Sequence, residues 1–138
     1  MLTSNLSVRD GDLVDQLFNH KISRGAARAL LEFLKANGGK CTKGEMNGFS
    51  RTLASGRLGV RISRTNFYRT VLSRFVDLQL IAEQLEYDQS RRKAVKLYKV
   101  VVQPLGRKPM GPSLMAVAYG VAQRWNEIFV GEHAVKTD

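Results

Sequence analysis

Between Ile62 and Ile81 apolar side chains recur at helical intervals, with Phe67, Val71, Phe75 and Leu78 falling on one side. Ser63 stands where its hydroxyl caps the first free backbone amides, so the segment reads as an amphipathic helix with a marked start. The other side carries Arg64, Thr65, Asn66, Arg69, Thr70 and Ser73. Guanidinium, amide and hydroxyl groups gathered on one helix face are the donors and acceptors that read base edges and phosphates in a major groove. An ordinary surface helix with a solvated face shows the same pattern, so the neighbouring residues must decide between the two.

Those neighbours form a hairpin pattern. Leu80 to Tyr87 reads as a short strand, Asp88-Gln89-Ser90-Arg91-Arg92-Lys93 is a polar, cationic turn, and Ala94 to Val102 is a second apolar run. Helix, Leu-Ile entry into a strand, charged turn and return strand together resemble the winged helix-turn-helix family of DNA-binding proteins, over residues 23–103. The resemblance implies that the turn is a wing touching phosphates or entering the minor groove, a role that falls here to Arg91, Arg92 and Lys93. Read without the resemblance, a charged tip simply keeps a hairpin soluble and unaggregated.

The formal charge of +10 is unevenly spread. Residues 1–20 hold one arginine against three aspartates, residues 21–111 hold 19 Lys or Arg against six acids, and residues 112–138 hold two against three. The excess of +13 thus lies within the winged segment and its connector, the distribution that phosphate neutralisation calls for. An acidic membrane surface would also attract it, but no segment pairs a basic face with a broad aromatic one. The longest apolar run, Leu114 to Ala122, is about half of the roughly 18 residues a membrane span needs. The single cysteine, Cys41, excludes an intramolecular disulfide, and the first residues show no basic stretch followed by a long apolar run. A cytoplasmic location is expected, nucleoid-associated in a prokaryote.

Along the chain, acids in the first turn and apolar residues at helical spacing predict a short helix over residues 10–18, within an N-terminal arm of residues 1–22. Ser23 is expected to cap a longer helix to about Asn37, burying Ala26, Ala27, Leu30, Phe33 and Leu34 and ending at Gly38-Gly39. Lys40-Cys41 reads as a brief strand. Thr42-Lys43-Gly44-Glu45 reads as a capping box that opens a helix through Met46, Phe49 and Leu53. Residues 54–62 separate this helix from the next, more than the three- or four-residue turn of a standard helix-turn-helix. Residues 104–112 form a Pro/Gly connector, and Ser113 caps a last helix in a C-terminal segment of residues 113–138. Leu114, Val117, Ala118, Val121, Ala122, Trp125 and Ile128 make its apolar stripe, which must cover something: it either folds back on the chain's own wing strands or, as expected here, pairs with the matching helix of a second subunit as a homodimer interface.

No nucleophile, base and orienter stand at a recognisable spacing, and His20 and His133 lie near opposite ends of the chain, so neither enzymatic activity nor a metal site is expected. No cofactor is implied. Cys41, beside Lys40 and Lys43, reads either as a redox-active thiol or as a small buried core residue. The expected fold is α+β, a mainly helical winged helix-turn-helix domain with a two- to three-stranded antiparallel wing and flanking terminal helices. The expected partner is double-stranded DNA, bound by a homodimeric transcriptional regulator, with any small-molecule effector unassigned. Lys43, Arg51, Arg57 and Arg61 are the expected phosphate contacts beside the helix and wing. The alternative is a winged-helix interaction module of a larger replication, transcription or chromatin assembly, meeting protein or RNA.

Overall fold

The computed structural model describes residues 13–129. In chain order the elements are α1 (Leu13–Leu17), α2 (Lys21–Ala36), β1 (Lys40–Thr42), α3 (Lys43–Ser55), α4 (residues 64–77), β2 (Ile81–Asp88), β3 (Lys93–Val100) and α5 (Leu114–Phe129). They fall into two compact units. One is His20–Val101, and the other, within Met1–Asn19 and Val102–Asp138, is described for residues 13–19 and 102–129.

In the first unit, α2 starts earlier than its sequence suggests. His20 is the N-cap and makes no side-chain cap bond, so Ser23 lies inside the first turn instead of capping it. A cap contributes only about 1 kcal/mol, less than the burial of Ala26, Ala27, Leu30, Leu31 and Leu34 that holds this helix in place. Its end follows the sequence. Gly38 and Gly39 take φ of 73° and 87°, and the Gly39 amide donates back to the Leu34 carbonyl at 2.8 Å. The capping box of α3 is complete: the Glu45 amide donates to Thr42 Oγ1 at 3.0 Å, and the Thr42 amide donates to Glu45 Oε1 at 2.8 Å.

Helix α4 is not a uniform α-helix. Arg64–Asn66 and Ser73–Asp77 are α-helical, and Phe67–Leu72 between them is a π-helical turn. Hydrogen bonds from i to i+5 bring Phe67 and Leu72 onto one side, and both are buried together with Val71 and Phe75. Leu78, expected on that stripe, is 45% exposed. It is the C-cap, the next residue Gln79 turns to φ of 62°, and the chain then buries Leu80 instead.

The sheet order is β1-β3-β2, antiparallel throughout, with Cys41 opposite Tyr98 and Glu83 also opposite Tyr98 on the other side. The hairpin closes on the pair Asp88↔Lys93, which leaves a turn of residues 89–92, shorter than the six polar residues of the sequence suggest. Asp88 Oδ1 explains this, since it accepts from the Ser90 amide at 3.0 Å and the Ser90 hydroxyl at 2.7 Å and so folds the chain back at once. Helix, strand, helix, helix, strand, strand in that order, with β3 central, gives the unit a winged-helix-like topology.

In the second unit α1 packs on α5. Ser113 Oγ accepts from the Ala116 amide at 3.1 Å, the expected start of α5. Asn126, buried within the helix, binds the backbone of Gln103 twice, its Oδ1 accepting from the amide at 2.7 Å and its Nδ2 donating to the carbonyl at 2.8 Å. The residues grouped as one dimer stripe separate: Trp125 is completely covered within the single chain, Val117, Val121, Ala122 and Ile128 are half-buried, and Leu114 and Ala118 are exposed. Residues 104–112 hold no helix or strand. The predicted helical residues 10–12 and the tail from residue 130 lie outside the described residues.

Candidate nucleic-acid interface

Two polar ties hold α4 against α3 and so fix which way its outer face points. Arg64 Nε donates to Ser50 Oγ at 3.3 Å, and the Tyr68 hydroxyl donates to Asn47 Oδ1. Tyr68 packs edge-on against Phe67 at 5.4 Å, and burial raises its hydroxyl pKa above the usual 10.0. The partner its hydroxyl meets is thus on the neighbouring helix. Ser50 and Asn47 were not legible as functional support. Their signal was a serine and an asparagine one helical turn apart, on the same side of α3 as Met46 and Phe49, where polar groups persist only with partners.

The predicted readout residues divide by what their side chains already do. Arg64, Thr65, Asn66, Arg69 and Thr70 are exposed and Ser73 is half-buried. The Thr70 hydroxyl donates to the Asn66 carbonyl at 2.6 Å, and the Ser73 hydroxyl donates to the Arg69 carbonyl. Both hydroxyls thereby spend their proton on backbone carbonyls in and beside the widened π turn, retaining only acceptor capacity for a ligand. Arg64, though exposed, has its Nε tied to α3. Thr65, Asn66 and Arg69 make no side-chain hydrogen bond or ion pair among the described residues.

The hairpin tip presents Arg91, Arg92 and Lys93, all exposed. Arg91 Nε lies 3.6 Å from Asp88 Oδ2, and the Ser90 hydroxyl, with the Ser90 and Arg91 amides, holds the Asp88 carboxyl below its usual range. Arg92 has φ of 54°, a left-handed conformation that glycine adopts freely and that costs another residue about 1 kcal/mol. Lys43 at the start of α3, Arg51 along it and Arg57 after it are exposed. Arg61 is engaged: its guanidinium donates to the Ser55 carbonyl at 3.3 Å and lies across Gly56, so it closes the C-terminal end of α3. The residues between α3 and α4 are therefore an ordered connection that uses one of the predicted phosphate contacts as its clasp.

Cys41 is 2% exposed, and burial together with the Glu45 carboxylate pushes its thiol from 9.0 up to about 11. That is the chemistry of a core residue and not of a reactive thiolate. A groove of about 810 Å³ runs between α2 and α3, with Gly25, Ala29, Phe33, Gly48, Phe49 and Leu58 on its walls beside the polar Arg28, Glu32, Glu45 and Thr52. Among the described residues no group of three His, Cys, Asp or Glu side chains is placed to hold a metal ion, and no helix is long and apolar enough to cross a membrane. No protein-family model, no curated protein and no solved structure matches this chain.

Proposed function

We propose that the chain binds double-stranded DNA with sequence preference and acts in the cytoplasm as a homodimeric transcriptional regulator, without cofactor or catalysis. One observation carries the reading. The outward face of α4, oriented by Ser50 and Asn47, leaves Thr65, Asn66 and Arg69 without side-chain partners among the described residues, in a unit that also carries an exposed cationic hairpin tip. Asn reads adenine and Arg reads guanine by bidentate hydrogen bonds, so Asn66 and Arg69 are the base-reading residues. Arg91, Arg92, Lys93, Lys43, Arg51 and Arg57 supply the phosphate contacts. The regulatory role follows from the resemblance to winged helix-turn-helix proteins alone.

Duplex binding measured over a range of salt concentrations tests the electrostatic half. If six of the cations neutralise phosphates, log K against log salt falls with a slope near −5, by roughly −0.9 per contact. A slope shallower than about −2 removes the reading. Selection from a random duplex pool tests the other half: recovery of no preferred sequence leaves the interaction-module alternative standing.

A further inference from the structure

Helix α4 is widened where Arg69 and Thr70 stand. Over Phe67–Leu72 its hydrogen bonds run from i to i+5, and the Ser73 amide donates to the Tyr68 carbonyl, where a regular α-helix would send it to Arg69. The amide due to the Arg69 carbonyl is thereby turned to its neighbour. The Ser73 hydroxyl donates to the Arg69 carbonyl instead, so one residue serves two successive carbonyls, the first by its amide and the second by its side chain. Three residues earlier the Thr70 hydroxyl donates to the Asn66 carbonyl at 2.6 Å. The two carbonyls held in this way belong to Asn66 and Arg69, the residues to which base reading is assigned.

The inner side of α4 accounts for the turn itself, since Phe67, Val71, Leu72 and Phe75 are all buried and a 3.6-residue period would not bring both Phe67 and Leu72 inward. The outer side faces water. There a carbonyl can be met by solvent, so folding does not require the two hydroxyls. What they add is direction. The carbonyl of a residue belongs to the peptide plane that fixes its ψ, and a side chain that holds this plane also holds the line along which the residue's own side chain leaves the helix. Bidentate reading of a base tolerates a misplacement of only about 0.5 Å, which makes that line matter more than the hydrogen bond's own contribution to stability.

We propose that Thr70 and Ser73 are positioning residues for sequence reading: their hydroxyls hold the π turn, and with it the backbone of Asn66 and Arg69, and do not themselves touch the duplex. The proposal rests on the reading of α4 as the base-reading helix. It gives a different role to two side chains that the sequence alone presents as groove contacts.

The test uses the full chain with Thr70→Val and Ser73→Ala, which remove a hydroxyl, and Thr70→Ser and Ser73→Thr, which keep one, each checked for folding by circular dichroism. In the free parent protein the NMR scalar coupling across the hydrogen bond from the amide of residue 73 reaches the Tyr68 carbonyl. That coupling is lost in Ser73→Ala and kept in Ser73→Thr. In competition between a selected and a random duplex, Thr70→Val and Ser73→Ala each lose about tenfold on the selected one and almost nothing on the random one, with the parental salt slope because no cation is removed. The hydroxyl-keeping variants bind as the parent does. Double-mutant cycles separate positioning from contact: in an Asn66→Ala chain the further change Thr70→Val costs nothing, and in an Arg69→Ala chain Ser73→Ala costs nothing, because no reader is left to position. Additive losses assign the hydroxyls to the duplex and overturn the proposal. A parental coupling that reaches the Arg69 carbonyl, hydroxyl-lacking variants that discriminate as the parent does, or variants that fail to fold overturn it too. If Asn66→Ala and Arg69→Ala leave discrimination unchanged, the base-reading assignment falls and the proposal with it, and a parental coupling to Tyr68 then shows that the failure lies in the reading and not in the turn.

Discussion

Asn66 and Arg69 differ from Thr70 and Ser73 in that their side chains are not already spent on the helix backbone. Replacing Asn66 or Arg69 by alanine is therefore expected to cost roughly 1–3 kcal/mol on a preferred duplex and little on a random one, measured by competition binding. Arg92→Gly should weaken both duplexes equally, because it removes a proposed phosphate contact, while folding stability does not fall, because glycine relieves the φ of 54°. Lower stability of that variant in urea would show that the arginine holds the turn. Cys41 gives a pH prediction. Its thiol titrates at about 11 in the folded chain against 9.0 in the unfolded one, so folding is favoured by the protonated form. The Cys41 contribution is fully present below pH 9, shrinks as the unfolded thiol ionises, and is lost by about pH 11. Cys41→Ala should flatten the fall in urea midpoint across that window, and an unchanged fall assigns it to other groups such as Tyr98, which burial raises to about 12.

At the level of elements, the parts governed by local chemistry were readable. The capping box at Thr42 and Glu45, the glycine stop after α2, the Ser63 cap and the start of α5 at Ser113 each depend on residues within a few positions of one another. Thr42→Ala should lower stability by about 1 kcal/mol in urea unfolding, and no loss would mean that α3 is held by packing alone. The start of α2, the π turn in α4 and the exposure of Leu78 were not readable. Each is set by how α4 and α2 pack rather than by the side chains next to it, and a stripe counted at 3.6 residues per turn has no means of registering a turn of i to i+5.

For the molecule as a whole, the exposed N-terminal end of α5 is where self-association is proposed, since Leu114 is 81% and Met115 68% exposed while Trp125 is fully covered. Leu114→Glu with Met115→Glu should convert a dimer to a folded monomer in sedimentation, and an unaltered dimer would place the interface elsewhere. The sequence by itself determined the α+β class, the order of elements from residue 21 to residue 100, the exposed polar face of α4 and the cationic turn, because periodicity, capping and turn chemistry act over a few residues. Only the tertiary structure decided that Ser50 and Asn47 orient α4, that Arg61 clasps the end of α3, that Asn126 holds the backbone of Gln103, and that Trp125 is buried within one chain. These contacts join residues between 6 and 23 positions apart, and no local pattern encodes which side chains a folded chain brings together over such separations.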